Sequence, residues 1–299
     1  MVHREGNIFA AEEMKKEAVF DYYIYNGKRY RTTQTDGFDK INSPCIYETI
    51  RIIDGVPLFL EAHLERLKQS AQLLGKQIVK NEEEITSEIL ALLQMNRCNN
   101  INVKLLCGNL DKEQQDFLVY VIESFYPNAS IYKSGIYAVL CNLERENPNA
   151  KVMDFEWKSK VKALLKETGA FEALLVNREN CITEGSRSNV FFVQGKKIYT
   201  APAQDVLLGV TRTMILNLCR QLHIEFVEKM VPVQEIPKMD GAFMTGTSVN
   251  VLPISKIDGQ PLPSVANSII HQVATEYEKL MWDYVKDRKK HHFSFASCI

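Results

Sequence analysis

The 299-residue sequence predicts an α+β protein of two α/β domains, a smaller N-terminal one followed by a larger C-terminal one. Three observations lead there. Short β-rich runs flank the two-residue turn signals Asn26-Gly27, Asp54-Gly55 and Asp258-Gly259. Between such runs, apolar residues recur at helical spacing. A break containing Pro127, Asn128, Ser130 and Gly135 separates a first set of strands and helices from a second. Residues 1–21 read as an N-terminal extension, 22–126 as the small domain, 127–135 as a linker and 136–299 as the larger domain.

Taken in order, Met1 to Val19 is polar overall, and the run through Glu12, Glu13, Lys15, Lys16 and Glu17 suits a short peripheral helix. Tyr22 to Arg31 alternates around Asn26-Gly27, and Ile46 to Ile53 with Val56 to Leu60 forms a second hairpin around Asp54-Gly55. Alternation puts Tyr47, Thr49 and Arg51 on one face of the first of these strands and Glu48, Ile50 and Ile52 on the other. A helix opening at Glu61 has the stripe Leu64, Leu67, Ala71 and Leu74 and stops at Gly75; Glu82 to Met95 is a second helix. Ile101 to Leu106 and Phe117 to Ile122 are strands. After the linker come a strand from Ile136 to Asn142, a Pro/Asn loop ending at Lys151, and a helix from about Val152 to Thr168 closed by Gly169. Trp157, Val161, Leu164 and Leu165 form its buried stripe, and Lys158, Lys162 and Lys166 line a flank. Phe171 to Val176 and Val190 to Val193 are strands, Met214, Ile215, Leu218 and Leu222 mark the inner face of a helix, and a last helix spans about Val265 to Lys286.

Composition excludes several function classes. A formal net charge of −1 gives no electrostatic basis for binding nucleic acid or an anionic membrane. Seven scattered cysteines without a CxxC suit free thiols in a reducing cytosol. No apolar run approaches a transmembrane helix, and His291-His292 lacks further ligands for a metal. The expectation is a cytoplasmic protein with neither nucleic acid nor membrane as partner and no metal.

The segment between the strands Phe171 to Val176 and Val190 to Val193 carries chemistry. Thr183-Glu184-Gly185-Ser186-Arg187-Ser188-Asn189 places a carboxylate, two serine hydroxyls, a guanidinium and a carboxamide in seven positions, a set suited to a polar aromatic ligand. Elsewhere such a segment is ordinarily a surface loop. The string TEGSRSNVFFV resembles the signature loop of the fold-type IV pyridoxal-phosphate enzymes, the class IV aminotransferases, which include branched-chain and D-amino-acid aminotransferases with aminodeoxychorismate lyase as a cousin. The resemblance runs in order over about residues 22 to 265.

That resemblance implies the cofactor pyridoxal 5′-phosphate and a set of residues around it. Glu184 matches the partner of the pyridine nitrogen, with Ser188 and Asn189 beside it in the cofactor-binding loop. Arg66, in the H-x-x-R-L pattern of His63 to Leu67, matches the arginine that grips the phosphate, a task suited to its planar fork. Val210 and Thr211, in LLGVTR, match a phosphate-binding helix start, and Thr247, in TGTS, a second phosphate contact. Counted back from Gly169 without gaps, the family's cofactor-bonding lysine falls on Lys151; Lys158, which precedes a serine as the family lysine does, is the alternative. Tyr47, Arg51, Arg187 and Ser248 are the substrate-side candidates. Two departures stand out. Ile41 to Cys45 replaces a glycine-rich approach to Tyr47-Glu48, and Cys107-Gly108-Asn109 stands where the D-amino-acid enzymes carry a carboxylate-gripping arginine. The function implied is transamination between an amino acid and a 2-oxo acid, in a homodimer whose active sites lie at the domain junction. The alternatives are a lyase that eliminates pyruvate and a non-catalytic protein on the same fold.

Overall fold

The computed structural model describes residues 11–41, 44–145 and 147–293. The chain divides into two compact units. The first comprises residues up to Phe125 together with Ala150–Phe155 and the chain from Asp283; the second comprises Tyr126–Asn149 and Glu156–Trp282.

Among the described residues the first unit has six strands: β1 (Tyr22–Tyr25), β2 (Lys28–Arg31), β3 (Ile46–Ile53), β4 (Val56–Pro57), β5 (Ile101–Gly108) and β6 (Asp116–Ile122). They form one sheet in the order β2-β1-β6-β5-β3-β4. Asn26-Gly27 and Asp54-Gly55 both have positive φ at each residue, so both hairpins take the predicted tight turn. One face of the sheet is covered by α2 (Leu60–Leu73) and α3 (Glu82–Asn96), with Leu64, Leu67, Ile85, Ile89 and Leu92 packed on Ile50, Val103 and Val119. Helix α3 begins with a capping box between Asn81 and Glu84. Helix α2 starts directly after β4, because Phe59 takes a left-handed conformation and turns the chain; the predicted strand through Leu60 therefore stops at Pro57.

The N-terminal extension is not peripheral. Residues 11–17 form a helix, α1, and bury Ala11 and Met14 against Tyr23, Phe38, Leu118 and Tyr120 on the other face of the sheet. Ala11, Met14 and Ala18 recur at helical spacing, a narrow stripe that the charged residues between them hide from a reading of overall polarity. Residues 1–10 of the extension and Asn42 and Ser43 of the Ile41 to Cys45 departure lie outside the described residues.

The second unit is built on a mixed sheet. Its site-bearing elements are β8 (Glu172–Val176), β9 (Cys181–Gly185), β10 (Asn189–Gln194), α6 (Val210–Gln221), β14 (Gly241–Gly246) and β15 (Asn250–Ile257). The remaining strands are β7 (Ile136–Cys141), β11 (Lys197–Thr200), β12 (Glu225–Glu228), β13 (Val231–Pro232) and β16 (Gln260–Pro261). The sheet order is β12-β11-β10-β14-β15-β7-β8-β9-β13, with β16 pairing off β15. A core of Leu174, Val190, Phe192, Met244 and Leu252 lies on it. Where a linker was expected, Ala129–Ser134 forms a short helix, α4, capped by the Asn128 side chain. Helix α5 (Phe155–Thr168) begins later than predicted, because residues 151–153 are extended and paired elsewhere. The C-terminal helix α7 runs over Ser268–Phe293, and the last six residues of the chain lie outside the described residues.

Candidate active site

In the first unit, Lys151 is fixed by its backbone. The carbonyl of Lys151 accepts the Tyr47 amide at 3.0 Å, the Met153 amide donates to the Cys45 carbonyl at 2.9 Å, and Ile46 bridges Val152. These residues lie along the edge of β3 that β4, paired only with Ile52 and Ile53, leaves uncovered. The Lys151 amide also donates to Ser70 Oγ at 3.1 Å, which ties the same residue to α2. Its ammonium stands 4.4 Å from the centre of the Tyr47 ring. Lys158, by contrast, lies within α5.

Arg66 is buried, not solvent-facing as an isolated helix arginine would be. Its Nε and Nη2 donate to the two oxygens of Glu48 at 2.7 and 2.6 Å, and His63 Nδ1 lies 2.7 Å from Glu48 Oε2. Strand alternation sends Glu48 into the space beneath α2, and the spacing of three residues brings His63 and Arg66 to it together. Burial would raise the Glu48 carboxyl, but the Arg66 charge and its hydrogen bonds outweigh this and hold it at about 2. Burial pushes the His63 imidazole below its usual value, with Arg66 and Lys151 adding to the effect against Glu48. The neutral imidazole therefore completes the network at physiological pH. Arg51 lies on the Tyr47 face, opposite Asn102 of β5.

In the second unit, Glu184 lies on β9, so part of the predicted loop is strand. Its side chain is 3 % exposed; Oε2 accepts the Leu207 amide at 3.1 Å, and Oε1 lies 3.0 Å from Arg145 Nε. The Arg145 guanidinium donates from Nη2 to the Ser186 carbonyl at 2.6 Å and stacks 4.3 Å from the Trp157 ring centre. A cleft of about 160 Å³ opens beside this pair, lined by Glu144, Pro148, Thr183 and Asp205 among others. Replacing Arg145 by Met should leave Glu184 buried without its cation and lower stability by about 2 kcal/mol, less than for a fully enclosed pair because Arg145 is 22 % exposed. Urea unfolding measures this; an unchanged midpoint would refute it.

Glu172 organises the turn after Glu184. Fully buried, it accepts from Ser188 Oγ at 2.9 Å, Ser186 Oγ at 2.5 Å and the Ser186 amide at 3.2 Å. Gly185 has no room for a Cβ, since Ser188 Oγ and the Glu172 carboxyl fill that space. Asn189 Nδ2 donates to the Leu207 carbonyl at 2.8 Å, and its Oδ1 sits where a Cβ on Gly209 would be. That contact fixes the entry to α6, where Gly209 is the N-cap without a side-chain cap and Val210 and Thr211 begin the helix. Thr247 and Ser248 form the turn joining β14 and β15. Arg187 points outward, its side chain 61 % exposed, with Nη2 donating to the Phe171 carbonyl at 2.9 Å.

The first unit thus gathers Tyr47 and Arg51 on β3 and Lys151 and Arg66 beside it; the second gathers Glu184, Ser188, Asn189, Val210 and Thr211, with Thr247 and Ser248 on the β14–β15 turn. Sequence reasoning left Glu172, Arg145 and Ser70 without roles. An acid alone in the apolar strand Glu172–Val176 is a legible signal for the first. Arg145 stands beside acidic residues in a loop and gives none.

These groups suit pyridoxal 5′-phosphate. A lysine amine is held beside an aromatic ring, a buried carboxylate faces a cleft, and a glycine-capped helix start has backbone donors for a phosphate. The sequence profile of the Amino-transferase class IV family matches residues 45–257. D-alanine aminotransferase of Bacillus licheniformis is 29 % identical over 232 residues, 74 % of this chain and 81 % of that one. A putative branched-chain-amino-acid aminotransferase of Methanocaldococcus jannaschii is 27 % identical over 265 residues, 84 % and 86 % of the two chains. The branched-chain aminotransferase of the thermophilic archaeon Thermoproteus uzoniensis, solved with norvaline, superposes with a TM-score of 0.76 at 21 % identity over 88 % of this chain and 95 % of that one, a likeness of fold. A second branched-chain amino acid aminotransferase, from T.th. and solved with pyridoxamine 5′-phosphate, superposes with a TM-score of 0.77 at 22 % identity over 88 % and 94 % of the two chains. With the profile spanning most of the chain and the fold agreeing, the protein belongs to the class IV aminotransferases, fold-type IV enzymes that work with pyridoxal 5′-phosphate.

Proposed function

We propose that the protein moves an amino group between an amino acid and a 2-oxo acid, with Lys151 as the residue that bonds the cofactor and carries the proton. The observation that carries this assignment is the double anchoring of the Lys151 backbone, to the edge of β3 and to Ser70 of α2, with its amine 4.4 Å from the centre of the Tyr47 ring. When bound, pyridoxal 5′-phosphate supplies an aldehyde and a protonated ring that accepts the negative charge left at the substrate α-carbon. With the cofactor bound, Lys151 Nζ would hold its aldehyde, would be set free when the substrate amine takes its place, and as the free amine would move the proton from the substrate α-carbon. Glu184, kept in place by Arg145 and the Leu207 amide, would face the ring nitrogen and hold its proton. The family resemblance would give the phosphate Arg66, whose fork Glu48 fixes, in the first unit, and Val210, Thr211 and Thr247 in the second. Ser188 and Asn189 shape the cradle through Glu172 and Leu207. Tyr47, Arg51 and Ser248 are assigned to the substrate side; the outward position of Arg187 leaves it the weakest of the candidates there.

The family resemblance supports a homodimer, and the seven cysteines without a CxxC support a cytoplasmic protein. Among the described residues no helix is long and apolar enough to cross a membrane.

A spectroscopic half-reaction tests the assignment. The yellow, cofactor-loaded protein should lose its colour on addition of an amino acid alone and regain it on addition of a 2-oxo acid. Colour that no D- or L-amino acid discharges would refute transamination. Release of pyruvate from aminodeoxychorismate without an acceptor would move the assignment to the lyase.

A further inference from the structure

Lys104, at the middle of β5, is 3 % exposed. The strand register puts it on the same sheet face as Tyr47 and Tyr120, because Thr49 and Tyr120 are its cross-strand partners. Its Nζ lies 5.6 Å from the Tyr47 ring centre and 5.9 Å from that of Tyr120. It is ion-paired with Glu17 of α1, and the Tyr120 hydroxyl lies 3.3 Å from the same carboxylate. The Tyr47 ring centre is also 4.4 Å from Lys151 Nζ, so the two ammonium nitrogens are at most 10.0 Å apart, the sum of 4.4 and 5.6 Å. The tip of this strand carries Cys107-Gly108-Asn109 and no cation.

We infer that Lys104 and the Tyr120 hydroxyl form a carboxylate subsite of the active site, which the Glu17 carboxylate fills until a substrate carboxylate replaces it. The inference rests on the aminotransferase reading. A buried ammonium needs an anion beside it, and replacing one carboxylate by another leaves that need met at every stage. Glu17 suits the displaced partner: its side chain is 32 % exposed, so its carboxylate can pass to water when it leaves. Burial, with Glu17 adding to it, pushes the Tyr120 phenol well above its usual range, so it keeps its proton and donates to whichever carboxylate is present.

Calorimetric titration of the cofactor-loaded protein with propionate and with glutarate reads the subsite without turnover. Glu17→Gln removes the tethered competitor and should tighten carboxylate binding by roughly tenfold. Lys104→Met should abolish it, and Lys104→Arg should keep it. Equal binding by the wild type, Glu17→Gln and Lys104→Met would overturn the inference, as would no binding to Glu17→Gln. If Lys104→Met does not fold, Glu17→Gln and Lys104→Arg decide. Where Lys104→Met folds, its KM separates two sources of the carboxylate. A rise for both alanine and glutamate marks the α-carboxylate, a rise for glutamate alone marks a side-chain carboxylate, and no rise for either refutes the subsite. Discharge of the yellow colour by an amino donor in the same preparations reports on transamination separately.

Discussion

Lys151→Ala is expected to lose its cofactor on gel filtration, to retain no label after borohydride reduction, and to transfer amino groups about a thousandfold more slowly or worse, the scale of a positioned proton-transfer group. The protein should still fold, because the anchoring of residue 151 uses its backbone amide and carbonyl, which alanine keeps. Lys158→Ala, altering a residue within a helix, should behave as wild type. Peptide mapping of the reduced wild-type protein makes the comparison direct. Label at Lys151 is the expected result; label at Lys158 would keep the enzyme class and overturn the count back from Gly169 that placed the lysine.

Glu48→Gln is expected to lower stability by about 3 kcal/mol at neutral pH and to weaken cofactor binding with it, because Arg66 loses the charge that fixes its fork. The pH dependence gives the same network a second signature. The folded carboxyl titrates at about 2, against an ordinary value of 4.5, so its contribution is complete above pH 4.5 and disappears as the pH falls towards 2. His63 is also shifted down from 6.5, and it is buried in its neutral form; its contribution is present above pH 6.5 and is lost on acidification below that. The wild-type melting temperature should therefore begin to fall below about pH 6.5 and fall more steeply below 4.5. Glu48→Gln should flatten the lower part of that curve. Parallel curves for the two proteins in scanning calorimetry would exclude Glu48 as the source.

The N-terminal extension shows where a reading by polarity stops. Two apolar positions at helical spacing, Ala11 and Met14, are buried because a sheet face is waiting for them, and much of that face comes from β6, far downstream in the sequence. The domain boundary has a similar history. The sequence predicts residues 127–135 as a linker after a small domain ending at 126; the second unit instead starts at Tyr126 and includes that segment, while Ala150–Phe155 counts with the first, because the edge of β3 offers hydrogen bonds to an extended segment wherever it comes from in the sequence.

The sequence by itself determined the alternation of Tyr47 and Glu48, the tight turns at Asn-Gly and Asp-Gly, the amphipathic helices, and the order of segments that mark the family. All of these depend on neighbours within a few residues or on a contiguous string. Only the tertiary structure decided that Arg66 is buried on Glu48, that Glu184 pairs with Arg145, that Glu172 holds the serines of the signature turn, and that Glu17 reaches Lys104. Each of those contacts joins charged or polar groups from distant parts of the chain. A charged residue bears no local mark of whether water or a buried partner will solvate it, and that choice is made when the sheets bring the partners together.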